Sequence, residues 1–411
     1  MTKKDLRACA KELVAFHKQF APCFGRVECQ SHAFHYLQGL LLAPGRKSVE
    51  PMALQFAEGS VVPMQRFLTR ARWEAADVQR QVQAVAAQRL ALSAGRNAVG
   101  PVLVIDESGF TKKGTHSVGV ARQYNGRLGK VDNCQVGVFL TYATPVDSAL
   151  LDHRLYLPKE WVNDSQRREV ARIPDDVVFR TKPQLAGDLI EAACANGLPH
   201  DWIIADELYG RNGALLGRLE AMNERYVMEV PVNTTVWTQD PANAIPPYGG
   251  RGQPPSRPRR DSVGTVRQVA QSLSPSAWTT LQLRRGAKGP LTFEFAAVRV
   301  WQVRHRKLGP PSWLLIRRSL ETKPTTQPEI KYYISNADAS VSLGTLAQAS
   351  GVRWRVEELF EECKGYVGMG HYEARAWTSW HHHMALVAVA HLFLTLTRRR
   401  LKKRRRRSRC R

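Results

Sequence analysis

The sequence predicts an α/β protein, with an all-helical segment first, a strand-rich core next and helices again at the end. Three observations carry that prediction. Apolar residues recur at helical spacing through about the first 95 positions, β-branched runs broken by turn residues take over from about 100, and helical spacing resumes in the last third of the 411 residues.

The first stretch holds four helical runs, "DLRACAKELVAFHKQF", "SHAFHYLQGLLL", "VVPMQRFLTRARW" and "WEAADVQRQVQAVAAQRLAL", divided by breaks such as "APGR". Residues 1–95 are expected to form a helical domain. Its polar sides carry Arg46, Lys47, Arg66, Arg70 and Arg72, which suit a DNA backbone and a solvated face equally well.

From position 102 the period changes. "VLVID" (102–106), "HSVGVARQY" (116–124), an Asn125-Gly126 turn and "CQVGVFLTYA" (134–143) predict a meander of three strands. "TKPQLAGDLIEAACANG" predicts a helix with Thr181 as N-cap, Pro183 in its first turn and Gly197 as its stop. It leads into "DWIIADELYG" (201–210), a short strand ending at Asp206, then the helix "ALLGRLEAMNE" and the strand "RYVMEVPV". The Pro-, Gly- and Arg-rich run 238–262 predicts an irregular loop, and "LTFEFAAVRVWQVRHR", "SWLLIRRSL" and "IKYYIS" predict three further strands. Helices follow at "LGTLAQAS" and "VRWRVEELFEECKG".

Sixty Lys and Arg against 36 Asp and Glu leave a net charge of +24, and the pI is near 10.1, which favours a polyanionic partner, most simply nucleic acid. The tail 398–411, "RRRLKKRRRRSRCR", holds 11 of those charges and is expected to be disordered, yet +13 remains on the rest of the chain. Seven scattered cysteines without a C-x2-C pair indicate neither a disulfide framework nor a zinc module. The start reads as an amphipathic helix and "MALVAVAHLFLTLT" (384–397) is too short to span a bilayer, so the expectation is a cytoplasmic protein with no membrane partner. His381, His382 and His383 fan out by about 100° per residue on a helix and do not make a metal site.

Asp106 and Asp206 share a local design, an aliphatic strand that ends in Asp before a Gly-containing turn. The order strand, strand, strand, helix, strand matches the ribonuclease H-like fold, in which the first and fourth strands lie side by side. Two neighbouring carboxylates repel unless a cation lies between them, and Mg2+ suits hard oxygen ligands. A two-metal site needs a third carboxylate, and the helix "VRWRVEELFEECK" offers Glu357, Glu358, Glu361 and Glu362. Val352, Val356, Leu359, Phe360 and Cys363 form one apolar stripe; Glu357 falls at its edge beside Arg353 and Lys364, and the other three acids point farther away. Glu357 is the expected third ligand.

These residues resemble the DDE insertion-sequence transposases, in the branch with a tyrosine, arginine, glutamate, lysine helix signature. Beyond Asp106, Asp206 and Arg353-x3-Glu357-x6-Lys364, the likeness extends over "FGRVECQSHAFHYLQGLL", "RKSVEPMA", "DESGFTKKGTHSVGVARQY", "GKVDNCQVGVFL", "YLPKEW", "FRTKPQLA" and "GHYEARAWTSWHHHMALVAVAHLFL". Ser350 stands where the signature has its tyrosine. The resemblance implies a helical DNA-binding domain (1–95), an RNase H-like core (96–235), a β-rich insertion (236–340), a C-terminal helical part of the core with the catalytic Glu (341–397) and the basic tail.

It further implies catalysis at Asp106, Asp206 and Glu357 with two Mg2+ ions, for which Mn2+ substitutes. Phosphate contacts would come from Arg353, Lys364, Lys112 and Lys113. The implied partners are double-stranded DNA, as element ends and target, and a second copy of the chain on that DNA. In relatives the insertion holds a flipped base on an aromatic residue, for which Trp237, Trp278 and Trp301 are candidates, although each suits a sheet core better. The rival reading is a DNA-binding regulator that keeps the fold without the chemistry.

Overall fold

The structure is a computed structural model that describes residues 3–91, 99–126, 128–239, 249–253, 263–286, 289–304, 307–320 and 328–409. Most of the loop expected at 238–262 falls outside these residues. In chain order the elements begin with helices α1 (Lys3–Lys18), α2 (Val27–Leu42), α3 (Val49–Phe56), α4 (Val61–Thr69) and α5 (Ala75–Leu90). Strands β1 (Val102–Thr111), β2 (Ala121–Asn125), β3 (Lys130–Ala143) and β4 (Ser148–Leu155) follow, then helices α6 (Lys159–Val162), α7 (Ser165–Ala171) and α8 (Lys182–Ala195). Next come β5 (Trp202–Ala205), α9 (Glu207–Gly210), α10 (Gly213–Ala221), β6 (Tyr226–Val230), β7 (Thr235–Trp237), β8 (Val263–Thr265) and α11 (Val266–Ser272). The chain continues through β9 (Thr279–Gly286), β10 (Gly289–Arg304), β11 (Lys307–Ser319) and β12 (Ile330–Ser335) to α12 (Leu343–Gly351), α13 (Trp354–Gly365) and α14 (Trp377–Arg409).

The chain divides into two compact units. One comprises Met1–Gly95, Ile105–Pro199 and Trp354–Arg411, and the other Arg96–Val104 with His200–Arg353.

In the first unit β3 lies between β1 and β4, with β2 also paired to its beginning. Every residue of β3 from Cys134 to Ala143 is buried, as in a strand covered on both faces. The Met384–Leu392 stretch of α14 is buried on all sides, which makes it the central helix of this unit. Helices α2, α4 and α5 pack on α14, and α5 and α14 both pack on β4. Polar bonds secure the α5–β4 contact, from Gln79 to His153 at 3.1 Å and from Gln83 to Asp152 at 3.5 Å.

Four expectations change here. The N-terminal helices form, but their apolar faces are covered by α14 and β4, so they belong to this unit and are not a domain of their own. The expected strand 116–124 begins only at Ala121, and β4 is an additional strand. Lys47 is buried, with its ammonium turned inward to the Leu40 carbonyl at 2.5 Å, and is not free for a DNA backbone. The tail is not disordered from Arg398: α14 continues through it to Arg409, and Arg398, Arg399 and Arg400 each reach an acidic side chain, Glu362, Asp147 and Glu12 respectively.

In the second unit β5 and β6 are parallel, and the sheet continues antiparallel in the order β6-β12-β11-β10-β7-β8, with β9 paired to the first part of β10 on the same edge that β7 takes farther along. The β-rich segment is therefore continuous with the sheet carrying Asp206, because β12 returns to pair with β6. Helix α12 covers β5, β6 and the β9–β11 strands. The three late strands expected from alternation are β10, β11 and β12; β7, β8 and β9 are additional, short or polar strands that the pattern leaves silent. No helix among the described residues is long and apolar enough to cross a membrane.

Candidate active site

Within the first unit, Asp106 lies in the body of β1. The strand does not stop at the acid, as its aliphatic run suggested, but runs on to Thr111. The Asp106 carboxylate accepts the Glu107 backbone N–H at 2.8 Å. Side chains alternate along a strand, so Glu107 faces away from Asp106, and its carboxylate takes the Lys182 ammonium at 2.8 Å, at the start of α8. Asp106 shares its face with Phe110. That ring meets Tyr372 at 5.9 Å and Phe139 at 6.2 Å, and the Lys364 ammonium of α13 lies 5.2 Å from its centre. Lys364 also donates to the Gly109 carbonyl at 3.2 Å, and Phe360 packs on Phe139 at 5.4 Å. The helix carrying Glu357 is thus held against the face of β1 that carries Asp106.

The four acids of α13 have distinct surroundings. Val356, Leu359 and Cys363 are buried, as the stripe requires, and Glu357 stands exposed in the first turn. Glu358 pairs with Arg355 at 2.8 Å, and Glu361 is exposed. Glu362 is held by His391 at 3.2 Å and Arg398 at 2.7 Å. Burial alone would raise its pKa, but these two bonds outweigh burial and hold it at about 2. The role of Glu362 escapes the pattern on its own helix, yet His391 and Arg398 stand seven apart, two turns along one helix face, which is a legible signal for a shared acidic partner.

One expected phosphate contact looks different in the structure. Lys112 is tucked against Tyr372, with its ammonium 3.6 Å from the ring centre and donating to the Tyr372 carbonyl at 3.3 Å. Burial, with Arg46 nearby, lowers its pKa to about 8. Lys113 is exposed. His381, His382 and His383 turn to different partners: His381 stacks on His153, His382 lies between the Leu68 and Trp73 carbonyls and as a neutral ring donates to one of them, and His383 bonds Tyr36.

In the second unit, Asp206 follows β5 at the carboxyl end of the parallel pair, where α/β sheets gather their functional groups. Its carboxylate caps α9 by accepting the Leu208 N–H at 2.9 Å. Gly210 closes that helix against β6, where a Cβ would run into the Glu229 carbonyl oxygen. Arg353 reaches Glu229 at 3.7 Å, and Lys331 reaches the same carboxylate at 2.9 Å. Ser350 is buried and donates to the Ala347 carbonyl at 2.8 Å, a helix-internal bond. Trp301 and Trp237 face each other across β10 and β7, and Trp278 lies under the Arg318 guanidinium at 4.0 Å.

The profile of a family described as DDE superfamily endonuclease matches residues 19–290, more than half of the chain. The chain belongs to the DDE superfamily endonucleases. Asp106 and Asp206 fall inside the matched residues, and Glu357 lies beyond them. The chain is also similar to a probable transposase for insertion sequence element IS701 from Microchaete diplosiphon, with 29% identity over 208 residues, 49% of each chain. It thus spans about half the length of that curated relative.

Proposed function

We propose that this DDE endonuclease is an insertion-sequence transposase that cuts DNA strands and transfers them to a target. The observation that carries the reading is the arrangement in the first unit, where Lys364 and Phe360 hold α13 on the face of β1 that bears Asp106. From the Lys364–Gly109 bond, Glu357 lies seven residues back along α13, about 10.5 Å, and Asp106 three residues back along β1, about 10 Å. These matched lengths favour the two acids serving one centre, and the resemblance to the DDE transposases supplies Asp206 as the third ligand.

The donor set fits the expected metal. Three carboxylates are hard oxygen ligands of the kind Mg2+ prefers, and none of the three side chains is fully buried. The chemistry supplied with two Mg2+ or Mn2+ ions bound there is a water of lowered pKa and charge balance at the phosphodiester. Asp106, Asp206 and Glu357 hold the ions. Lys364, fixed by Gly109 and Phe110, presents positive charge to a phosphate from the Glu357 side, Arg353 supplies another, and exposed Lys113 contacts the flanking backbone. Lys112, pressed on Tyr372, contributes to the local positive potential more than to direct contact. The partner is double-stranded DNA, both element ends and target. A homodimer brings the two ends together.

The test is cleavage and strand transfer by purified protein on the element's own end DNA, with Mg2+, with Mn2+ and with chelator. Metal-dependent nicking at the element boundary is expected. Its absence in both metals, with DNA binding intact, would overturn the reading in favour of a DNA-binding regulator.

A further inference from the structure

Helix α13 is seated by two kinds of contact. Val356, Leu359 and Cys363 bury an apolar stripe, and such contacts are non-directional, so they set which face points inward but resist sliding along the axis poorly. Directional bonds to other elements come from both halves of the helix, and in the first half Arg355 donates to the Pro145 carbonyl between β3 and β4. Lys364 bonds the Gly109 carbonyl of β1, and Glu362 bonds two residues of α14, His391 and Arg398. Glu357 stands five residues before Glu362, about 7.5 Å along the helix, and has no share in the apolar stripe. A metal-binding carboxylate works only when held within about 0.5 Å of its place.

We infer that Glu362 is a positioning residue: clamped by His391 and Arg398, it fixes the second half of α13 along its axis and, together with the Arg355 bond on the first half, the placement of Glu357. The chain's basic end is then no appendage at its root. Arg398 locks α13, Arg399 reaches Asp147 between β3 and β4, and Arg400 bonds Glu12 of α1. Three consecutive arginines, fanning by about 100° each, fasten α14 to three separate parts of the first unit. His391 is fully buried and Glu362 is mostly so, which keeps water from competing for the clamp. The inference rests on the reading of Glu357 as a metal ligand, and the test separates the two.

The full-length protein is compared with Glu362→Gln, Arg398→Gln, Arg398→Lys and Glu357→Gln. Three readings are taken: calorimetric Mn2+ affinity without DNA, affinity for end DNA without metal, and single-turnover cleavage. Glu362→Gln and Arg398→Gln should each weaken Mn2+ binding and slow cleavage about tenfold, in the range for residues that orient a ligand, while end-DNA affinity stays within about twofold. Arg398→Lys, which retains the charge, should recover most of both losses. Arg398 is partly exposed, so its variants report even where Glu362→Gln folds poorly. If Glu357→Gln abolishes cleavage while the Glu362 and Arg398 variants bind Mn2+ and cleave normally, the positioning role is overturned and the Glu357 assignment stands. If Glu357→Gln itself cleaves normally, both fall together.

Discussion

Lys182 sets its ammonium 2.8 Å from the carboxylate of Glu107, the residue that follows Asp106 on β1. That pair separates two adjacent acids by role. Glu107 is spent on tying β1 to the start of α8, and strand alternation turns Asp106 to the other face. Asp106→Asn should therefore abolish metal-dependent cleavage, with a loss of at least about a thousandfold, and leave DNA binding intact. Glu107→Gln should keep cleavage within about threefold and lower stability by about 1–2 kcal/mol, since the pair is partly screened by solvent. Cleavage kinetics beside thermal melts check both; a dead Glu107→Gln with a live Asp106→Asn would reverse the assignment.

Asp206 has two separable duties. Its carboxylate caps α9, and Asn caps as well as Asp, so Asp206→Asn should melt like the parent protein yet lose cleavage. Asp206→Ala removes the cap too and should add a destabilisation of about 1 kcal/mol. Equal loss of stability in both variants would show that the charge serves the fold and not the chemistry.

Among the acids of α13, Glu357→Gln should be inactive and Glu361→Gln fully active, although both side chains are exposed. Glu358→Gln breaks only the surface pair with Arg355, worth about 0.5 kcal/mol, and should also remain active. An essential Glu361 would mean that the helix presents a different edge to β1.

Acid should unfold the first unit through its histidines. Burial lowers the pKa of His381 to about 3, His382 to about 4 and His383 to about 3, from an unfolded value of 6.5. The unfolded chain therefore takes up protons below 6.5 while the folded chain does not, so stability is complete above 6.5 and falls as pH drops through that window toward 4. Asp152, whose buried carboxyl is pushed up, acts in the opposite direction. Burial holds His153, stacked on His381, well below 6.5 as well, so urea unfolding between pH 7.5 and 4.5 should give a slope of at least three protons; a flat profile would show that the histidines are hydrated.

The basic end should divide into two parts. Deleting 404–411 removes six arginines, so affinity for end and random DNA should fall by a similar factor and log affinity should vary less steeply with log salt, while the cleavage position stays the same. Deleting from 398 also removes the clamp on Glu362 and should depress cleavage as well. A selective loss for end DNA in the shorter deletion would show that those residues read sequence.

Periodicity, strand runs and turn residues were enough to mark α1, α2, α4, α5, α8, β5, β10, β11 and β12, because each buries one face or sits between clear breaks. Thr181 illustrates it: the N-cap expected there forms, and its hydroxyl and Gln184 make a reciprocal cap. The stripe on α13 likewise identified Val356, Leu359 and Cys363 as turned inward, but it set Glu362 farther out than Glu357, and the structure reverses that order. Local pattern failed where a partner distant in sequence decides the outcome. β1 runs past Asp106 because β3 beside it is long, which no residue of 102–111 announces.

The sequence by itself determined most of the element types and the basic character, and it singled out the three carboxylates proposed as metal ligands, since all of these are properties of single segments. Only the tertiary structure decided that the N-terminal helices close around α14, that Lys112 lies against Tyr372, that Arg353 turns to Glu229, and that Glu362 is clamped by a helix ending in arginines. Each of these depends on which distant surface covers a side chain. Burial and pairing are set by that neighbour and not by the residue's own place in the chain.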